Sequence, residues 1–64
     1  MKLQKWIEKE NKTNKQVAED TGISEMNISR YASGQNIPRP DNLQKIVAYT
    51  GGEVQANDFY KGEE

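Results

Sequence analysis

Between Glu25 and Arg30 the chain places a carboxylate, a thioether, a carboxamide and a guanidinium, with Ile28 among them and Tyr31 immediately after. These are side chains that hydrogen-bond to, or pack on, the edges of nucleic-acid bases. Arg30 suits bidentate bonding to guanine O6 and N7, a contact worth ~1–3 kcal/mol of discrimination. Asn27 suits adenine, Glu25 can accept from cytosine N4, and Met26 can pack on a thymine methyl. Plainer roles stand beside these: Glu25 favours the dipole of a helix that starts with it, Met26 is an ordinary exposed methionine, and Arg30 is a solvated charge.

Little other chemistry is available. With no cysteine and no histidine, disulfides, thiolate metal sites and the commonest metal ligand and general base are missing, so zinc fingers and most hydrolase mechanisms are excluded. Glu19 and Asp20 are neighbours, and on a helix neighbours point about 100° apart, a poor geometry for a shared acid–base pair. There is no nucleophile–base pair and no phosphate-cradling glycine loop. A ligand pocket of roughly 300–1,000 Å³ would also consume most of the core that 64 residues can form. The expectation is therefore not an enzyme, with no cofactor, no metal and no small-molecule substrate.

The elements that must position residues 25–30 follow from spacing. Apolar residues recur at helical intervals, as Leu3, Trp6 and Ile7, then Val17 and Ala18, then Ile28 and Tyr31, then Leu43, Ile46 and Val47. Alternation with period two persists nowhere, so the fold class is all-α. Thr13 with Gln16 matches a capping box and starts a second helix. Gly22 ends it in the left-handed conformation, and Ser24 caps a third helix that Gly34 ends. Gln35 to Arg39 form a polar, proline-bound loop, and Pro40 and Asp41 start a fourth helix closed by Gly51 and Gly52. Gln55 to Phe59 form a last turn that lays Phe59 on the core, and Trp6 is a core residue. If Ile28 and Tyr31 face inward, rotation by about 100° per residue puts Met26, Ser29, Arg30 and Ser33 on the far side, with Glu25 and Asn27 at its edges.

Charge and size bound the partners. The net charge is −1, but residues 1–50 hold eight of the nine cations and six of the ten acids, a balance of +2, and the last fourteen a balance of −3. Exposed charges are screened within ~8–10 Å, so local patches decide contact with a polyanion, and the acidic end can mask a basic front. Lys2, Lys5, Lys9 and Lys12 line one stripe of the first helix, either a source of field toward a polyanion or simply its wet face. A mean hydropathy of −1.06 and the lack of a long apolar run predict an intracellular, soluble chain of one domain over residues 1–64, with a motif at about 14–33 and an acidic tail at about 61–64. Tyr60 is open between loose packing and a self-association surface.

From Asn14 to Ser33 the order is helix, small Ala18, turn glycine Gly22, Ile23, Ser24, then a helix holding Ile28. A small residue fits where two helices cross closely and glycine where the backbone turns between them. This segment resembles the Cro and phage-repressor (Xre-like) helix-turn-helix family. Thr13 to Glu19 is similar to the family's first motif helix and Gly22-Ile23-Ser24 to its turn. Ile28 to Gly34 is similar to the end of the recognition helix, written V-S-R-W-x-S-G, and Pro40 to Ile46 to the fourth helix. Three positions depart: Thr21 stands where leucine is usual, Asn14 where glutamine is frequent, and Arg39 in place of a serine cap.

The resemblance implies a compact bundle of four to five helices, a lambda-repressor-like DNA-binding domain, that docks helix 3 in the major groove. It implies a cytoplasmic transcriptional regulator, bacterial or phage-encoded, with double-stranded DNA as partner. Base-reading falls to Glu25, Met26, Asn27 and Arg30. Backbone contacts fall to Asn14, Ser29, Gln35, Asn36 and Arg39, where helix ends and the following loop turn N–H groups and short polar side chains outward; the same residues also serve as helix-start and turn formers. A homodimer would read a near-palindromic operator with half-sites ~10 bp, or a multiple, apart. The competing expectation is a helix-turn-helix-derived protein-binding module, such as an antitoxin or a modulator of a regulator, motivated by the net negative charge and by Glu25.

Overall fold

The computed structural model describes residues 1–59; the expected acidic tail at 61–64 and Tyr60 lie outside them. Four α-helices follow in order, α1 (Leu3–Lys9), α2 (Asn14–Thr21), α3 (Glu25–Ser33) and α4 (Pro40–Tyr49), then a single 3-10 turn, Ala56–Asp58. No strand occurs among the described residues. The all-α expectation holds, with the fifth helix reduced to that one turn.

Local chemistry sets the boundaries. The Thr13 hydroxyl accepts the Gln16 N–H at 3.0 Å and starts α2, and the Ser24 hydroxyl accepts the Asn27 N–H at 3.2 Å and starts α3. Gly22 and Gly34, at φ +77° and +86°, end α2 and α3 in the left-handed region that side chains with a Cβ reach only at a cost of about 1–2 kcal/mol. Pro40 opens α4 at its first position after an extended Arg39, whose side chain makes no cap bond. Proline supplies the fixed φ there and lacks only an N–H that would have no helical partner.

Ten hydrophobic side chains close one core: Leu3, Trp6 and Ile7 from α1, Val17 and Ala18 from α2, Ile23, Ile28 and Tyr31 from the turn and α3, Ile46 from α4, and Val54. Phe59 packs against it, its ring 6.4 Å from that of Tyr31, as the sequence predicts. Trp6 meets Tyr49 edge-on at 5.3 Å. Val54 is fully buried although no periodic pattern marks it. The left-handed Gly51 and Gly52 turn the chain back after α4, and the buried Thr50 hydroxyl accepts the Val54 N–H at 3.2 Å.

The leucine-to-threonine departure at Thr21 has a structural role. Its hydroxyl donates to the Val17 carbonyl at 2.8 Å and accepts the Ile23 N–H at 3.3 Å. The departing residue thus ties the end of α2 to the turn.

Candidate nucleic-acid interface

Helix α3 presents the face that its spacing predicts. Ile28 is fully buried and Tyr31 nearly so, whereas Met26, Ser29, Arg30 and Ser33 are exposed and Asn27 is half-buried at the edge. Because α2 and α3 pack mainly against each other, and Ala18 and Ile23 are buried between them, the direction of this ridge is fixed by a close crossing rather than by the ridge itself. A further tie runs from α4, where the Asn42 carboxamide donates to the Tyr31 hydroxyl at 3.0 Å. That bond holds the C-terminal half of α3 from beneath.

The end of α3 is drawn tightly around Arg30. Its carbonyl accepts the Gln35 N–H at 2.9 Å and the Asn36 N–H at 3.4 Å, and the Ser33 hydroxyl donates to it at 3.1 Å. Two predicted backbone-contacting residues are thereby anchored to the predicted base reader through the main chain, while their side chains remain exposed. Asn14 is the first residue of α2 and Arg39 the residue before α4. Neither side chain bonds to α3 among the described residues, so the fold sets these two at separate helix starts.

Glu25 occupies a different setting from the rest of the ridge. With Lys15, Glu19 and Ser24 it lines an open groove over Ala18, Gly22 and Ile23, between α2 and α3. Lys15 carries no signal in the sequence, because it and Glu25 come to line one groove only when α2 packs against α3. Ile37, about half exposed in the loop before α4, is not marked in the sequence either, since a single isoleucine in a polar loop carries no periodic signal.

The cations divide into engaged and free sets. The predicted lysine stripe on the first helix is not realised as such, because α1 is short: Lys2 precedes it and Lys12 follows it. Lys9 pairs with Glu53 and lies 3.6 Å from Glu10, Lys2 donates to the Asp58 carbonyl at 3.2 Å, and Lys12 sits over the Tyr49 ring at 5.9 Å. The hydrogen bond to Glu53 holds the Lys9 ammonium above its usual pKa. Burial acts to raise the Asp58 carboxyl, but bonds from the chain's amino group and the Gln55 N–H outweigh it and lower its pKa. These acids are occupied with the α1 end of the molecule. Arg30 and Arg39 have no ion-pair partner among the described residues.

Arranged this way, α3 offers an exposed guanidinium and the chain after it two exposed carboxamides, groups of the kinds that hydrogen-bond to base edges and to phosphates. No group of three or more potential metal ligands occurs among the described residues, and no helix there is long and apolar enough to cross a membrane. A family described as helix-turn-helix matches residues 3–56. No curated protein and no solved structure matches the chain.

Proposed function

We propose, from the premise that this chain belongs to the Cro/Xre-like helix-turn-helix family, that it is a sequence-specific transcriptional regulator of the Cro/repressor type acting as one domain over residues 1–64. Helix-turn-helix domains of this family bind DNA and are generally non-enzymatic. The finer reading is that α3 enters the major groove, with Glu25, Met26, Asn27 and Arg30 toward base edges and Asn14, Ser29, Gln35, Asn36 and Arg39 toward the sugar–phosphate backbone. It includes a homodimer on a near-palindromic operator and a cytoplasmic location in a bacterial or phage-infected cell.

The observation that carries this reading is the exposed ridge of Met26, Ser29, Arg30 and Ser33, backed by buried Ile28 and aimed by the bend at Gly22. Arg30 is the one cation on that ridge, and nothing among the described residues neutralises it.

Selection of bound duplexes from a random pool tests it. The expected result is an enriched near-palindrome with half-site centres ~10 bp or a multiple apart. Arg30→Ala should cost on the order of tenfold or more at one guanine position and relax preference there. Unchanged affinity and preference in that variant would remove α3 from recognition. Amide shifts on adding random duplex at low salt separate the alternatives: shifts in α2 and α3 accord with DNA binding, and shifts absent from both favour a protein-binding module.

A further inference from the structure

The ridge has an apolar member at its N-terminal end. Met26 is 63% exposed, the highest value among the exposed large hydrophobic residues, and it lies one helical turn before Arg30. Side chains four apart on a helix stand ~5–6 Å from each other at Cβ, wider than the ~3.4 Å rise between base pairs on one strand. Two such side chains entering the groove together therefore meet neighbouring base pairs rather than one. Ser29 and Ser33, the other exposed residues of the ridge, are short, so the thioether and the guanidinium project beyond them. Glu25, at the edge of the ridge, also lines the groove with Lys15 and Glu19.

The floor of the major groove is made of hydrogen-bond donors and acceptors, with one apolar feature, the methyl group on C5 of a pyrimidine. A thioether pressed onto any other edge would strip water from a polar group and return no bond. An unbranched methionine can adjust three torsions to meet that methyl. Resting on the DNA-binding reading above, we propose that Met26 and Arg30 act as one unit that reads a C5-methyl pyrimidine in the base pair next to the guanine held by Arg30. The methyl group has two sources, thymine and 5-methylcytosine, and the site takes either.

The test uses the full chain and a duplex chosen by selection. Each thymine is replaced in turn by deoxyuridine and each cytosine by 5-methylcytosine, with Kd read by fluorescence anisotropy at fixed salt. One position per half-site, adjoining the guanine whose contact is lost in Arg30→Ala, should respond. Removing the thymine methyl there should weaken binding on the order of fourfold per half-site, the equivalent of one buried methyl group. If cytosine stands there, methylation should strengthen binding by a similar factor. Met26→Ala should bind the methylated and unmethylated duplexes alike, with its melting temperature unchanged because the side chain is exposed. A selected duplex with no methyl-sensitive position, or a full methyl response in Met26→Ala, overturns this inference and leaves DNA binding standing. A chain that enriches no duplex at all overturns the parent reading.

Discussion

Replacing Thr21 by valine removes one oxygen and nearly no volume, and it asks whether the turn between α2 and α3 is held by that oxygen. The hydroxyl donates to the Val17 carbonyl, which already belongs to the helical ladder, so losing this bond leaves no orphan. It also accepts the Ile23 N–H at 3.3 Å, and Ile23 is buried; that donor would be stranded. An unsatisfied buried donor costs about 1–3 kcal/mol, and the length of this bond places it at the low end. A methyl in place of the hydroxyl recovers a few tenths of that in a part-buried position, so the net loss should be about 1 kcal/mol. In a domain of this size that lowers Tm by roughly 4–8 °C. Thermal unfolding followed by circular dichroism checks the magnitude, and hydrogen exchange at the Ile23 amide checks the cause, since that amide should exchange faster relative to Ile28. A variant as stable as the parent, with Ile23 equally protected, would refute the idea that the hydroxyl compensates for the missing leucine.

Other consequences are open to measurement. Gly22→Ala should destabilise by about 1–2 kcal/mol in urea unfolding; nothing lies within 4 Å of the added Cβ, so the cost is purely that of a left-handed backbone at φ +77°. Burial, and then the hydrogen bond to Asp20, push the Tyr49 hydroxyl up to about 12, so tyrosinate absorbance should show this ring titrating late. A phenol whose pKa is raised on folding gives stability that is intact below its unfolded value near 10 and lost as pH climbs through about 12, and Asp20→Asn should bring the titration down. Arg39→Ala should weaken all duplexes alike and reduce the magnitude of the log–log salt slope by about one per chain, in contrast to Arg30→Ala, which changes preference.

Capping and turn signals were legible because they act within a few residues. Thr13, Ser24, Gly22, Gly34 and Pro40 each settle a boundary with a hydroxyl, a left-handed φ or a fixed ring, and none needs a distant partner. The same locality explains why the outward face of α3 could be read from Ile28 and Tyr31 alone. What sequence left unread depends on contacts made after folding. Val54 is buried only because Gly51 and Gly52 reverse the chain. Lys15 and Glu25 line one groove only because α2 packs against α3. The stripe of lysines dissolved because α1 stops at Lys9 and the Glu53 carboxylate and Asp58 carbonyl that engage Lys9 and Lys2 come from the other end of the chain.

That last rearrangement bears on how a chain of net charge −1 can approach a polyanion. Glu53 is held by Lys9, Asp58 by the chain's amino group, Asp20 by the Tyr49 hydroxyl and Glu8 by the Gln4 carboxamide. None of these acids faces Arg30 or Arg39 in an ion pair among the described residues. With exposed charges screened beyond ~8–10 Å, the two arginines act through their own surroundings and the total charge is nearly irrelevant to them. The small number of cations on the α3 ridge has a thermodynamic signature. Few phosphates are neutralised, so the salt slope should be shallow, on the order of −4 for a dimer, and a larger share of the affinity must come from base edges and shape fit on the α3 ridge. Such a protein would bind random duplex poorly at physiological salt while still distinguishing its operator, because discrimination scales with the ridge contacts and non-specific attraction with the cations.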